Sequence, residues 1–143
     1  MNRKTQEGFT LLEVLIALAI FSFGILGIAS MQVTSIQGNA YASGLTEAAT
    51  WAQDRMERLT ALNYTHANLN DTDGDDGGPG VGGGLDDIGG NADYQVVQGI
   101  YTINWNIAED FPLDNTKTIR VIVVWNENGR QITLPLDCVK SSQ

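Results

Sequence analysis

Cysteine, histidine, proline and basic residues are all scarce in this chain, and each scarcity excludes something. A single cysteine, Cys138, rules out any intramolecular disulfide. A single histidine, His66, leaves no His/Cys cluster for zinc and no Ser-His-Asp arrangement. Proline is absent before Pro79, so nothing breaks a helix over the first half of the chain. Lys and Arg number 8 against 17 Asp and Glu, for a net charge of -9, and a nucleic-acid binder would instead show a basic face. No Lys or Arg lies between Arg58 and Lys117, a stretch that carries ten Asp and Glu. Such a stretch must be solvated, self-repelling or neutralised by a cation. The glycine-rich stretch within it neither follows a strand nor precedes a lysine, so it is no phosphate loop. No catalytic group emerges, and a membrane-anchored enzyme is the weakest reading.

What the chain does have begins at its N-terminus. At 143 residues it has room for one compact domain and a membrane segment. Residues 1–8 are short, polar and basic, with Arg3 and Lys4, and Phe9 to Met31 is almost wholly apolar. As a helix that run measures roughly 34 Å, enough for a hydrocarbon core about 30 Å thick. Basic residues flank only one side, which predicts a cytoplasmic N-terminus and an exported remainder. An ordinary secretory signal peptide needs a small-x-small cleavage site after its apolar core. Ala29 and Met31 make a poor one, although Gly27 and Ala29 would serve. Glu13 fits neither a plain anchor nor a plain signal. A carboxylate in a spanning helix costs about 2.5–3.5 kcal/mol on insertion scales, and such residues usually have a partner.

These residues carry a specific resemblance. Gly8-Phe9-Thr10-Leu11-Leu12-Glu13-Val14, behind a basic leader, resembles the type IV prepilin signal. The resemblance implies a prepilin peptidase that cuts between Gly8 and Phe9 and N-methylates Phe9, leaving the apolar segment in place. It also makes Glu13 the family's buried glutamate, pairing with the Phe9 amine of a neighbouring subunit to set axial register. An apolar medium penalises an unpaired charge far more than an ion pair, which gives that pairing its reason. The alternative is a pair within one chain, since Phe9 and Glu13 stand four residues apart.

Helical periodicity continues past the membrane. Tyr41, Leu45, Ala48, Ala52, Met56 and Leu59 form one apolar stripe, opposite Glu47, Thr50, Asp54, Glu57 and Arg58. A single helix from about Phe9 to Leu62 would be roughly 80 Å long. Its sequence, Gly27 to Gln32 and then Ala49 to Arg58, is similar to the minor pilin group called PilV. Trp51 in place of the usual Leu and the displaced Met56 are departures, and they leave open a type II secretion pseudopilin of the similar GspI type.

Residues 63–93 change character, and Asn70 to Asn91 is dominated by glycine and aspartate. Composition predicts a long solvated loop. Asp71-x-Asp73-x-Asp75 resembles the start of a calcium loop, with Asp86 or Asp87 folding back to complete it. Calcium is therefore the one candidate cofactor. The rest departs from an EF-hand, because Asp76 holds the glycine position and Gly82 that of the bidentate glutamate.

From residue 94 the period becomes two. Tyr101, Ile103, Trp105 and Ile107 alternate with Thr102, Asn104 and Asn106, which predicts a half-buried strand. Ile119, Val121, Val123 and Trp125 share a second face, Asn128-Gly129 marks a hairpin, and Ile132, Leu134 and Leu136 return. Pro135 puts that last strand at an edge. Trp105 and Trp125 read as core anchors rather than ligand platforms, and Cys138 as an inert or occasionally intermolecular thiol. The expected fold is α+β and pilin-like, with a long N-terminal helix on an antiparallel sheet. Its parts are a leader (1–8), a spanning or filament-core helix (9–31), an exported amphipathic helix (32–62), the loop (63–93) and the sheet (94–143).

The resemblance implies a minor pilin, anchored in the inner membrane with a periplasmic head and extracellular after assembly. Its partners would be prepilin peptidase, other minor and major pilins, and a tip adhesin, serving motility, adhesion or DNA uptake. The rival from another class is a secreted calcium-binding or adhesive module cleaved after the apolar segment.

Overall fold

The computed structural model describes residues 8–74 and 84–142. The chain divides into two compact units, Met1–Tyr41 and Ala42–Gln143. One helix, α1 (Leu11–Ala61), contributes to both.

In the first unit α1 is built from the apolar run. Its large side chains, from Leu11 to Ile36, are about half exposed or more, because no protein surface covers them. The hydroxyls in this run bond back to the helix itself. Ser22 Oγ donates to the Leu18 carbonyl at 2.7 Å, and Ser30 Oγ to that of Gly27 at 2.8 Å. A hydroxyl satisfied in this way brings no unpaired donor into an apolar surrounding.

The second unit places residues 42–61 of α1 on a four-stranded antiparallel sheet. The strands are β1 (Tyr94–Gln98), β2 (Tyr101–Glu109), β3 (Thr116–Glu127) and β4 (Arg130–Ser141), adjacent in chain order. This is the expected α+β arrangement. Ala48, Ala52, Met56 and Leu59 are buried, with Leu45 half-buried, so the stripe read at spacings of three and four is the face that packs. Tyr41, also assigned to that stripe, is exposed. Opposite them lie Ile103, Ile107, Ile119, Val121 and Val123, each at most 1% exposed. Asp54 and Arg58 form the expected i, i+4 pair at 2.9 Å, worth a few tenths of a kcal/mol at such exposure.

Local chemistry sets the turns. Asn128 and Gly129 both take positive φ (51° and 77°), as a two-residue hairpin between right-twisted strands requires. The last turn of α1 is tied to the end of the sheet, where Lys140 Nζ donates to the Thr60 carbonyl at 2.6 Å. A cation there also opposes the negative end of the helix dipole.

The chain then makes a short 3-10 turn, Ala67–Leu69, whose carbonyls are held by side chains from the sheet. Tyr94 Oη donates to the carbonyls of Ala67 and Asn70, and Trp105 Nε1 to that of Asn68. Lys117 Nζ donates to Leu69 at 2.6 Å and pairs with Glu109 at 2.8 Å. Trp105 is thus a core anchor, as expected, stacked on Tyr94 with ring centroids 5.1 Å apart and covered by the Arg55 guanidinium. Burial lowers the Arg55 pKa, and the nearby Arg58 charge adds to that shift. Trp125, the second anchor, is 2% exposed beside the Tyr101 ring. Its indole lies so close to α1 that a Cβ on Gly44 would stand 3.3 Å from Nε1, and the absent side chain at Gly44 permits that approach.

β2 departs from expectation. Asn104 and Asn106 are fully buried rather than facing water. The reason is the glycine-rich segment, whose described part, 84–93, crosses the outer face of the sheet. Asn104 Oδ1 accepts from Gly89 N–H at 3.0 Å, and its Nδ2 donates to the Ile122 carbonyl. Asn106 Nδ2 donates to the carbonyls of Leu85 and Asp87, both at 2.9 Å, and its Oδ1 accepts from Asp93 N–H at 3.1 Å. Leu85 is buried beneath this cover, so part of the predicted solvated loop is packed structure.

Candidate functional site

Two groups of residues carry the chemistry, one in each unit. In the first, Gly8, Phe9 and Thr10 precede α1, and Phe9 is 84% exposed. Thr10 caps the helix: its Oγ1 accepts from Glu13 N–H at 3.3 Å, while its carbonyl accepts from Val14 N–H at 3.3 Å. Thr10 and Glu13 thus stand at the T-x-x-E spacing of a capping box, of which the threonine arm is formed. Glu13 lies in the first turn, at the positive end of the dipole, where a carboxylate is favoured. Sequence reading singled out Gly8, Phe9 and Glu13 and passed over Thr10. The T-x-x-E spacing was the signal for it. α1 is the one helix among the described residues long and apolar enough to cross a membrane, with mean hydropathy 2.5 over its most apolar window.

The second group is acidic. Carboxylate oxygens of Asp71, Asp73 and Asp93 lie within 4.8 Å of one another. The fold holds Asp93 by both oxygens. Oδ1 accepts from the Thr72 N–H and hydroxyl, and Oδ2 accepts from Ile107 N–H at 2.9 Å. Asp71 Oδ1 accepts from Gly74 N–H at 2.6 Å. Burial, assisted by the neighbouring charges of Asp93 and Asp73, pushes the Asp71 carboxyl above the usual carboxylate range, against the pull of the Gly74 hydrogen bond.

Of the five aspartates read as calcium ligands, the structure brings together Asp71 and Asp73 and joins them to Asp93, which the twelve-residue loop frame could not reach. Asp87 borders a polar depression shared with Thr72, Asp73, Gly90, Asn91 and Ala92. Asp86 is engaged elsewhere, with Arg120, which also holds Asp137 through two bonds of 2.7 and 2.8 Å. Those carboxylates raise the Arg120 pKa. Asp75 lies outside the described residues. Three converging carboxylates are the donor type that hard cations such as calcium take, and here backbone and hydroxyl donors already occupy part of their capacity.

The prokaryotic N-terminal methylation motif matches residues 3–29, the segment that contains Gly8, Phe9 and Glu13. No curated protein and no solved structure matches the chain. The motif implies processing by prepilin peptidase and assembly with other pilins, and together with the apolar helix it fits anchoring in the inner membrane. It supports a type IV prepilin-like protein, either a pilin or a pseudopilin.

Proposed function

We propose that this chain is a minor pilin of a type IV pilus, nearest to the PilV group, that helps to initiate assembly and takes a place in the filament. One observation carries the reading: the methylation motif leads into an apolar helix that continues, as the same α1, into the helix packed on the sheet. Cleavage after Gly8 would leave that helix in the mature protein, whereas a secretory cleavage after the apolar segment would cut α1 in two. In this reading the N-terminus is cytoplasmic before assembly and the head periplasmic. The chain works by assembly rather than catalysis, with other minor pilins, the major pilin and a tip adhesin as partners, in motility, adhesion or DNA uptake.

Glu13 serves here as the register residue, pairing with the methylated Phe9 amine of a neighbour. In its support, α1 begins after Phe9, so Phe9 and Glu13 do not stand in a helical i, i+4 relation within one chain. Trp51 and Met56 depart from the PilV pattern and leave room for a second reading, a type II secretion pseudopilin of the GspI kind. Complementation of strains lacking one or the other machine separates the two.

The test of the class is the mature N-terminus, read by mass spectrometry on membranes that contain a prepilin peptidase. N-methylated Phe9 as the first residue supports the reading. A start near Ser30 or Met31 overturns it.

A further inference from the structure

The hydrogen bond from Glu13 N–H to Thr10 Oγ1 has a consequence for how the subunit's two charged groups find partners. This inference rests on the pilin reading and deepens it. We propose that Thr10 is a positioning residue for subunit register: by capping α1 it starts the helix after Phe9, and so keeps the amine created there from pairing with Glu13 of its own chain. The pair is then left to form between chains.

The argument is one of orphan donors. The first N–H groups of any helix lack intrahelical partners, and in hydrocarbon no water replaces them. Thr10 Oγ1 takes the Glu13 N–H and the Thr10 carbonyl takes the Val14 N–H, so the first turn closes at Thr10. Phe9 is thereby left outside the helix, 84% exposed. Without the hydroxyl, the cheapest replacement is to extend the helix by one residue, so that the Phe9 carbonyl accepts the Glu13 N–H. Phe9 then becomes helical and its amine falls one turn from Glu13, the favourable spacing for an ion pair within the chain. A subunit closed on itself in this way has neither charge to offer a neighbour. Alanine at position 10 is a poor cap and a better helix former than threonine, so it favours the extended helix on both counts. Serine keeps the hydroxyl.

The experiment uses the full chain, processed in membranes and assembled with its pilus machinery. Wild type, Thr10→Ala and Thr10→Ser are treated with a lipophilic carbodiimide, which joins an amine to a carboxylate only where the two touch. Mass spectrometry confirms cleavage before Phe9 in each and locates the Phe9–Glu13 product. Wild type and Thr10→Ser are expected to give the product between chains. Thr10→Ala is expected to give it within one chain, with at least a several-fold loss of incorporation into sheared filaments. Equal products and equal incorporation in wild type and Thr10→Ala overturn the inference and leave the pilin reading standing, as does failure of Thr10→Ser to restore them. A wild type that is not cleaved before Phe9 overturns the pilin reading, and this inference with it.

Discussion

Asn106 donates from one amide nitrogen to the carbonyl of Leu85 at 2.9 Å, binding a buried strand residue to a segment 21 positions earlier in the chain. The same nitrogen reaches Asp87, and the side-chain oxygen holds the Asp93 N–H. Asn106→Leu would strand two carbonyls and one amide. At about 1–3 kcal/mol for each buried group left unpaired, the loss should exceed about 2 kcal/mol. Hydrogen exchange should report it locally, with residues 84–93 losing protection before the sheet does. Uniform loss of protection would show that the cover and the sheet unfold as one.

Lys117 presents a harsher case. Its side chain is 7% exposed, and its ammonium donates to the Leu69 carbonyl, to Asn70 and to Glu109. Removing one member of a buried pair typically costs 3–5 kcal/mol, and the half-exposed Glu109 can recover water, so Lys117→Met should cost about 3 kcal/mol. Thermal unfolding of the full chain in detergent measures this. A double variant with Glu109→Gln should cost less than the two single losses combined, since the two residues share one interaction.

For Asp71 the sign runs the other way from most carboxylates. Its folded-state pKa lies above the ordinary value, chiefly from burial. The ionised form is therefore the disfavoured one in the fold, and this destabilisation is present at neutral pH. It fades as pH falls through the folded and then the unfolded pKa. Asp71→Asn, which keeps an oxygen for the Gly74 amide, should raise Tm at pH 7. The gain should shrink to nothing below the ordinary aspartate pKa. An equal gain at both ends of the pH range would assign the effect to packing instead.

For Glu13 the expected outcome is selective. Glu13→Ala should insert and be cleaved before Phe9, yet enter filaments poorly, as sheared filaments and membranes probed side by side would show. Normal incorporation would remove Glu13 from any role in register.

Much of this was legible from spacing alone. The apolar stripe from Leu45 to Leu59 and the alternation in β2 and β3 each reflect a period that burial imposes directly on sequence. The Asn128-Gly129 turn was equally plain, because positive φ at two successive residues is cheap for few pairs. What stayed hidden depended on contacts between distant segments. Nothing in the alternation of β2 announces that Asn104 and Asn106 are buried, since a polar residue on the outer face reads as solvated until something covers it. Asp93 escaped notice for a related reason: it joins Asp71 and Asp73 only because Asn106 and Ile107 fix it at the entrance to β1. Thr10, by contrast, was visible in its T-x-x-E spacing and was eclipsed by the more conspicuous glutamate.

Pro135 sits midway along β4, opposite Ile122, on a strand with no further neighbour in the sheet. A proline at such a place has no N–H to offer outward, so a continuous ladder cannot be built onto that border. Proteins that wait crowded in a membrane before being stacked into fibres face a particular hazard, because the same crowding that promotes the intended polymer also promotes amyloid-like sticking of heads. In the proposed filament, where heads would be crowded together, the imino ring at position 135 would keep the β4 border of each sheet private to one subunit, while the opposite border is β1.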